Sequence, residues 1–271
     1  MDLSIIIPPF QESWKIARDV KAASEFLVGN GLAGEIIVVD DGSQDNTAQM
    51  ARAVAVPAAV KLNVIRYEEH RGKGYGVRTG MKASTGRYAM FADCGLCIPY
   101  GNALLGLEML QNDQCDMAHG SRRHVESDIL QAQRWHRRLL SRMFKWVVRT
   151  MLGVPRELTD TQCGFKIYKG DVARELYGEC TADGFMFDIE MILRATRKGY
   201  RIREFPVEWA CDPDSRLSVT RTPWPLLVEL HRLKRTMAKE ARGAGNQKFE
   251  TRNPKQVQMT QTEEDSKRTI R

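Results

Sequence analysis

Four short runs of apolar, largely β-branched residues recur in the first third of the chain, and each ends at a proline or a polar residue. They are Leu3-Ser4-Ile5-Ile6-Ile7-Pro8-Pro9, Glu35-Ile36-Ile37-Val38-Val39-Asp40, the run from Val60 to Tyr67, and Tyr88-Ala89-Met90-Phe91-Ala92. Near-continuous apolar runs of this length read as strands buried on both faces. Between them the spacing changes to a helical period: the apolar positions Trp14, Ile16, Ala17, Val20, Ala23 and Leu27 fit a helix, and Gly29 to Gly34 breaks it. A second helix starts near Asp45-Asn46-Thr47, and a third follows the glycine-rich Gly72-Lys73-Gly74-Tyr75-Gly76 and runs to about Ser84. Alternation of strand and helix predicts an α/β fold with a Rossmann-like, mostly parallel sheet flanked by helices.

In open α/β sheets ligands bind outside the carboxyl ends of the strands. Asp40 and Asp41, Lys73, and Asp93 all stand just past predicted strand ends. Taken alone, Asp40-Asp41-Gly42-Ser43 is a turn and helix cap. With Lys73 and Asp93 at neighbouring ends it becomes one side of a site. The glycine-rich loop does not follow the first strand, which argues against a dinucleotide fingerprint. Cys94-Gly95-Leu96-Cys97 lacks the second ligand pair that a structural zinc site needs.

The chain has 271 residues, 42% hydrophobic and 28% charged, which suits a globular protein and excludes a mostly disordered or collagenous one. No apolar run approaches the ~18–20 residues of a membrane span. Met1-Asp2-Leu3-Ser4 lacks the basic start of a signal peptide, and the six cysteines read as reduced thiols, so a cytoplasmic location is expected. Basic residues exceed acidic ones by 41 to 34, a net charge of +7, and the excess is local. Ser121 to Thr150 carries Arg122, Arg123, Arg134, Arg137, Arg138, Arg142, Lys145 and Arg149 against Glu126 and Asp128; Arg216 to Glu240 is also basic. A localised basic face suggests phosphate partners. No nucleic-acid-binding pattern accompanies it.

Gln133 to Leu152 reads as an amphipathic helix, with basic residues at 134, 138, 142, 145 and 149 and apolar ones at 135, 139, 143, 147 and 151. Such a helix can lie on an anionic membrane surface. Thr161 to Tyr168 reads as a loop entering a strand, Phe187 to Lys198 as a helix, Tyr200 to Trp209 as a strand and Trp224 to Lys239 as a helix. Residues 1–240 are expected to form the domain and 241–271 a disordered polar tail.

Ile5-Ile6-Ile7-Pro8, Val38-Val39-Asp40-Asp41-Gly42-Ser43-Gln44-Asp45-Asn46-Thr47, His70-Arg71-Gly72-Lys73-Gly74 and Phe91-Ala92-Asp93 occur in that order. Together they resemble family 2 glycosyltransferases of the GT-A fold. Gly120-Ser121-Arg122, Asp160-Thr161-Gln162-Cys163-Gly164-Phe165-Lys166 and Phe187-Asp188-Ile189-Glu190 narrow the resemblance to the branch that makes dolichyl- and polyprenyl-phosphate sugars. It covers roughly Leu3 to Pro225.

The resemblance implies an inverting transfer of a hexose, above all glucose from UDP-glucose, to a polyprenyl or dolichyl phosphate. It places nucleotide-sugar contacts at Pro8, Phe10, Glu12, Asp40, Asp41, Lys73 and Asp93, and Mg²⁺ or Mn²⁺ on Asp93. Asp93, Arg122 and Asp188 are the expected catalytic residues. Arg122, Arg134, Gln162, Glu190 and Arg216 are the expected acceptor contacts, at the cytoplasmic face of a membrane. The alternatives are a GDP-mannose donor, another acceptor, or a catalytically silent nucleotide-sugar binder. The sequence departs from the family at Asp93-Cys94-Gly95, where the usual Asp-x-Asp has lost its second carboxylate. It departs again at Phe10-Gln11, where the family has Tyr-Asn.

Overall fold

A computed structural model describes residues 1–131, 146–210 and 228–240. Among them, seven strands form one sheet in the order β3-β2-β1-β4-β7-β5-β8. These are β1 (Leu3–Ile7), β2 (Gly34–Asp40), β3 (Val60–Arg66), β4 (Tyr88–Ala92), β5 (Met117–Ser121), β7 (Phe165–Lys169) and β8 (Ile202–Pro206). A small second sheet pairs β6 (Asp128–Gln131) with β9 (Glu208–Ala210). The predicted strand from Tyr200 to Trp209 is therefore two strands in two sheets.

Neighbouring strands of the main sheet are parallel except at β7, which runs antiparallel to both β4 and β5. The sheet is thus mostly parallel, as expected, with one reversed strand.

Because side chains alternate across a strand, each apolar run supplies two cores. Leu3, Ile5 and Ile7 of β1 join Ile36, Val38 and Met90 on one face. Ile6 joins Ile37, Val39, Ala89 and Phe91 on the other. The first face is covered by α1 (Ile16–Gly29) and α4 (Ala103–Gln111) through Ile16, Val20, Leu27, Ala103 and Leu107. The second is covered by α3 (Lys73–Ala83), α6 (Gly170–Glu179) and α7 (Phe187–Lys198) through Val77, Met81, Leu176, Tyr177, Phe187 and Met191. Each fully buried Ile, Leu or Phe contributes about 1.5–3 kcal/mol relative to exposure. α2 (Thr47–Arg52) follows the aspartate pair. α7 has Asp188 and Glu190 in its first turn, Arg197 and Lys198 in its last, and ends at left-handed Gly199, in keeping with its dipole and its cap.

Two further helical stretches, α5 (146–152) and α8 (228–240), and a 3-10 turn at Tyr100–Asn102 complete the described elements. The chain divides into a unit Met1–Glu229 and a unit Leu230–Arg271. Most of the predicted Gln133 to Leu152 helix, including Arg134, Arg138 and Arg142, lies outside the described residues, as do Arg216 and the tail 241–271. At its described end Val147, Arg149 and Met151 are all half-buried. Arg149 Nη2 donates to the carbonyls of Arg156 (2.8 Å) and Leu158 (2.7 Å), and Trp146 is the exposed aromatic.

Candidate active site

The carboxyl ends of β1, β2, β4 and β5 lie along one edge of the sheet. The reversal of β7 brings the start of that strand to the same edge, with Ala92 opposite Phe165. Five chain segments therefore meet there: 8–12, 40–43, 93–95, 121–122 and 160–165.

On the β1–β2 side, the two aspartates have separate tasks. Asp40 is fully buried; its carboxylate accepts from Ser43 N (3.2 Å) and faces Arg66 Nε at 3.4 Å. Asp41 clasps the loop that follows β3, accepting from Arg71 N (2.7 Å) and Gly72 N (2.8 Å), with His70 Nδ1 2.8 Å away. The Phe10 ring stacks on His70 at 4.0 Å. Gln11 N and Glu12 N donate to Ser43 Oγ (2.7 Å) and Thr47 Oγ1 (2.9 Å), so the segment after β1 is tied to the segment after β2. Pro8 is half-buried at the start of that segment.

The clasped loop delivers Lys73, the first residue of α3, to Asp93: Nζ lies 2.6 Å from Oδ1. Burial works against the Lys73 charge, but Asp93, then Asp188, outweigh it and raise its pKa above the ordinary value. Asp188 is itself buried, which raises its pKa, while Lys166 and Lys73 pull it down. Lys166, 1% exposed, pairs with Asp188 and donates to Thr161 O at 3.1 Å. Two lysines and two carboxylates thus alternate in a mostly buried cluster. A Cβ at position 164 would fall 2.0 Å from Asp93 Oδ2, so only glycine lets the 160–165 loop lie against that carboxylate.

On the far side, Arg122 binds Asp160 through Nε (2.6 Å) and Nη2 (2.8 Å), and its guanidinium lies 5.4 Å from the Trp209 ring centre. Burial opposes the Arg122 charge, but Asp160 more than restores it; burial likewise opposes the Asp160 carboxylate, and Arg122 holds it below the ordinary range. Asp160 N donates to Glu204 Oε1 at 2.7 Å, which anchors the pair to β8.

The structure thus brings Lys73, Asp93 and Asp188 together, places Arg122 at the neighbouring strand end, and leaves Gln162 half-buried in the adjoining loop. Glu190 is not among them. It is fully buried and accepts from Thr181 N (3.0 Å), Ala182 N (2.7 Å) and Arg194 Nε (2.8 Å). With its oxygens taken and no exposed surface, it ties the 180–182 loop to α7 instead of meeting an acceptor. Arg134 and Arg216 lie outside the described residues. Sequence reasoning missed Asp160 and Lys166 as site residues, although they are the first and last residues of Asp160-Thr161-Gln162-Cys163-Gly164-Phe165-Lys166. A lysine inside the apolar Phe165-Lys166-Ile167-Tyr168 is a signal for a buried partner.

Among the described residues no three His, Cys, Asp or Glu side chains converge as a metal cage. Asp93 alone fits a divalent ion of the magnesium type, which binds through one or two carboxylates and takes its other ligands from substrate phosphates and water.

The model of glycosyl transferase family 2 matches residues 4–177, well over half of the chain. The chain belongs to this family. Relatives include the dolichyl-phosphate beta-glucosyltransferase of Drosophila melanogaster, 31% identical over 229 residues, covering 80% of this chain and 70% of that protein. That of Saccharomyces cerevisiae is 30% identical over 224 residues, covering 76% and 66%. The glycosyltransferase also shares its fold with glucosyl-3-phosphoglycerate synthase from Mycobacterium tuberculosis in complex with UDP (TM-score 0.63, 17% identity, covering 86% and 80% of the two chains). A complex of that synthase with Mn²⁺, UDP-glucose and phosphoglyceric acid gives TM-score 0.60 at 18% identity, covering 85% and 80%. The fold is GT-A, as the sequence implied.

Proposed function

We propose that this family 2 glycosyltransferase moves glucose from UDP-glucose to a dolichyl or related polyprenyl phosphate, with inversion at the anomeric carbon. The observation that carries the reading is the alternating charge cluster at the strand ends. Lys73 and Asp93 stand between the Asp40–Asp41 side, suited to base and ribose, and Arg122, suited to a second phosphate. The relatives' names supply glucose and dolichyl phosphate. Residues 1–240 form the catalytic domain in this reading, with 241–271 a polar tail outside it.

Pro8, Phe10, Glu12, Asp40 and Lys73 hold the nucleotide and its diphosphate, and Asp41, its oxygens taken by Arg71 N, Gly72 N and His70, serves the same site by fixing the loop that carries Lys73. The acceptor phosphate is already ionised near neutral pH, so attack on the sugar needs positioning and charge relief more than a general base. Arg122, gripped by Asp160 through Nε and Nη2, turns its remaining nitrogen to that phosphate. Gln162, Arg134 and Arg216 assist. Asp188 is a positioning residue that holds Lys166 and biases Lys73. Mg²⁺ or Mn²⁺, where bound, is held by Asp93 with the donor phosphates and polarises the leaving group.

No helix among the described residues is long and apolar enough to cross a membrane. We place the enzyme at the cytoplasmic face of the bilayer, reached through the basic segment 133–152. The test is a donor screen with mass-spectrometric detection of a glycosylated lipid phosphate. UDP-glucose with dolichyl phosphate is expected to give the product. Product from GDP-mannose alone, or none from any donor, would overturn the reading in favour of another donor or a silent binder.

A further inference from the structure

The triplet Asp93-Cys94-Gly95 ends β4, and its third position is closed off. Gly95 N donates to both oxygens of Asp19 (3.1 and 3.0 Å), Cys94 Sγ to Asp19 Oδ2 (3.1 Å), and Arg18 Nη2 to Gly95 O (3.0 Å). Gly95 has φ +113°, a conformation that side chains other than hydrogen rarely tolerate. Helix α1 thus holds this turn against itself, and a carboxylate there would meet backbone strain.

Asp93 is the remaining carboxylate, and it is engaged on two sides. Lys73 Nζ lies 2.6 Å from Oδ1, and Gly164 packs against Oδ2 so closely that a Cβ would sit 2.0 Å away. Lys73 is backed by the rings of Phe91 and Phe187, at 5.9 and 6.0 Å. Its loop is clasped by Asp41, and Tyr75 N donates to Asp183 O at 3.1 Å. The cation fixed at this strand end therefore belongs to the chain.

We infer that Lys73 is the resident counter-charge for the donor diphosphate, and that a nucleoside diphosphate binds this enzyme without a divalent ion. The inference rests on the proposed UDP-sugar donor. An ammonium carries three donors, so Nζ can keep Asp93 and still reach a phosphate oxygen. A divalent ion approaching Asp93 meets a positive charge already beside the same oxygen, and like charges at such range oppose each other. The ion is then an addition to a site already neutralised, and not a condition of binding.

The test is UDP titration by calorimetry on the full chain, in excess chelator and again with Mn²⁺. The wild type is expected to change its Kd less than fivefold between the two buffers. Lys73→Met is expected to lose fivefold or more in both, with Lys73→Arg retaining binding in chelator. Thermal unfolding of each variant shows whether it is folded; the wild-type comparison needs no variant. A wild-type loss of fivefold or more in chelator would overturn the inference while leaving the UDP-sugar reading intact. So would a folded Lys73→Met that binds UDP like the wild type in chelator. Failure of UDP to bind in either buffer would overturn the donor reading, and the inference with it.

Discussion

His119, in the middle of β5, is 1% exposed, and burial followed by the Lys166 charge across the ladder holds its pKa well below the ordinary value. The ring stays neutral in the folded chain, with Tyr168 edge-on at 6.1 Å. In the unfolded chain it takes up a proton near pH 6.5. Below that pH the unfolded state binds one proton more, so stability falls as the pH drops and is unaffected above it, with a limiting slope of about 1.4 kcal/mol per pH unit. Urea unfolding at pH 7 and pH 5.5 should show wild type losing about 1 kcal/mol more than His119→Gln. Equal losses would mean that the buried ring takes a proton in the folded state. Asp93 and Lys73 were legible because each is a polar residue just beyond an apolar run. Asp19 was not, because its partner Cys94 is 75 residues away and nothing local marks it.

At the scale of elements, α7 and the start of α3 are joined through one loop. Glu190 gathers the amides of Thr181 and Ala182, and the same loop presents Asp183, whose carbonyl accepts from Tyr75 N and whose carboxylate pairs with Arg78. Removing Glu190 takes from the Arg194 guanidinium, 6% exposed, its nearer carboxylate, leaving Glu179 Oε2 at 3.4 Å, and takes the acceptor from two amides. Glu190→Ala should therefore cost about 3–5 kcal/mol in unfolding free energy, and hydrogen exchange at Thr181 and Ala182 should accelerate. Unchanged exchange at those two amides would show that the loop is held by other means. The helix itself was legible from its period, its acidic first turn and Gly199. Its buried carboxylate was not, because period alone cannot tell a salt bridge turned inward from one turned to water.

For the whole molecule, β1, β2 and β4 were readable as buried apolar runs; β3 forms where the sequence puts it, but it is the edge strand and only Val60 in it is buried, so the expectation of burial on both faces fails there. Strand β5, Met117-Ala118-His119-Gly120-Ser121, was not readable, because histidine and glycine interrupt its apolar pattern. The direction of β7 was also hidden: hydrophobicity reports burial, not polarity, so a reversed strand looks like any other. That strand has a consequence during synthesis. β4 lies in the middle of the finished sheet, yet its outer neighbour comes from Phe165–Lys169. Until the ribosome has made that segment, a folded β1–β4 layer carries an unpaired edge, open to the same edge on another copy. A fragment of residues 1–130 should therefore self-associate in light scattering at concentrations where 1–240 stays monodisperse. A monodisperse fragment would show that the edge is closed from within. The strands leave the ribosome in an order that is not the order in which the sheet requires them, and the interval between the two is when a nascent chain is most exposed to its neighbours.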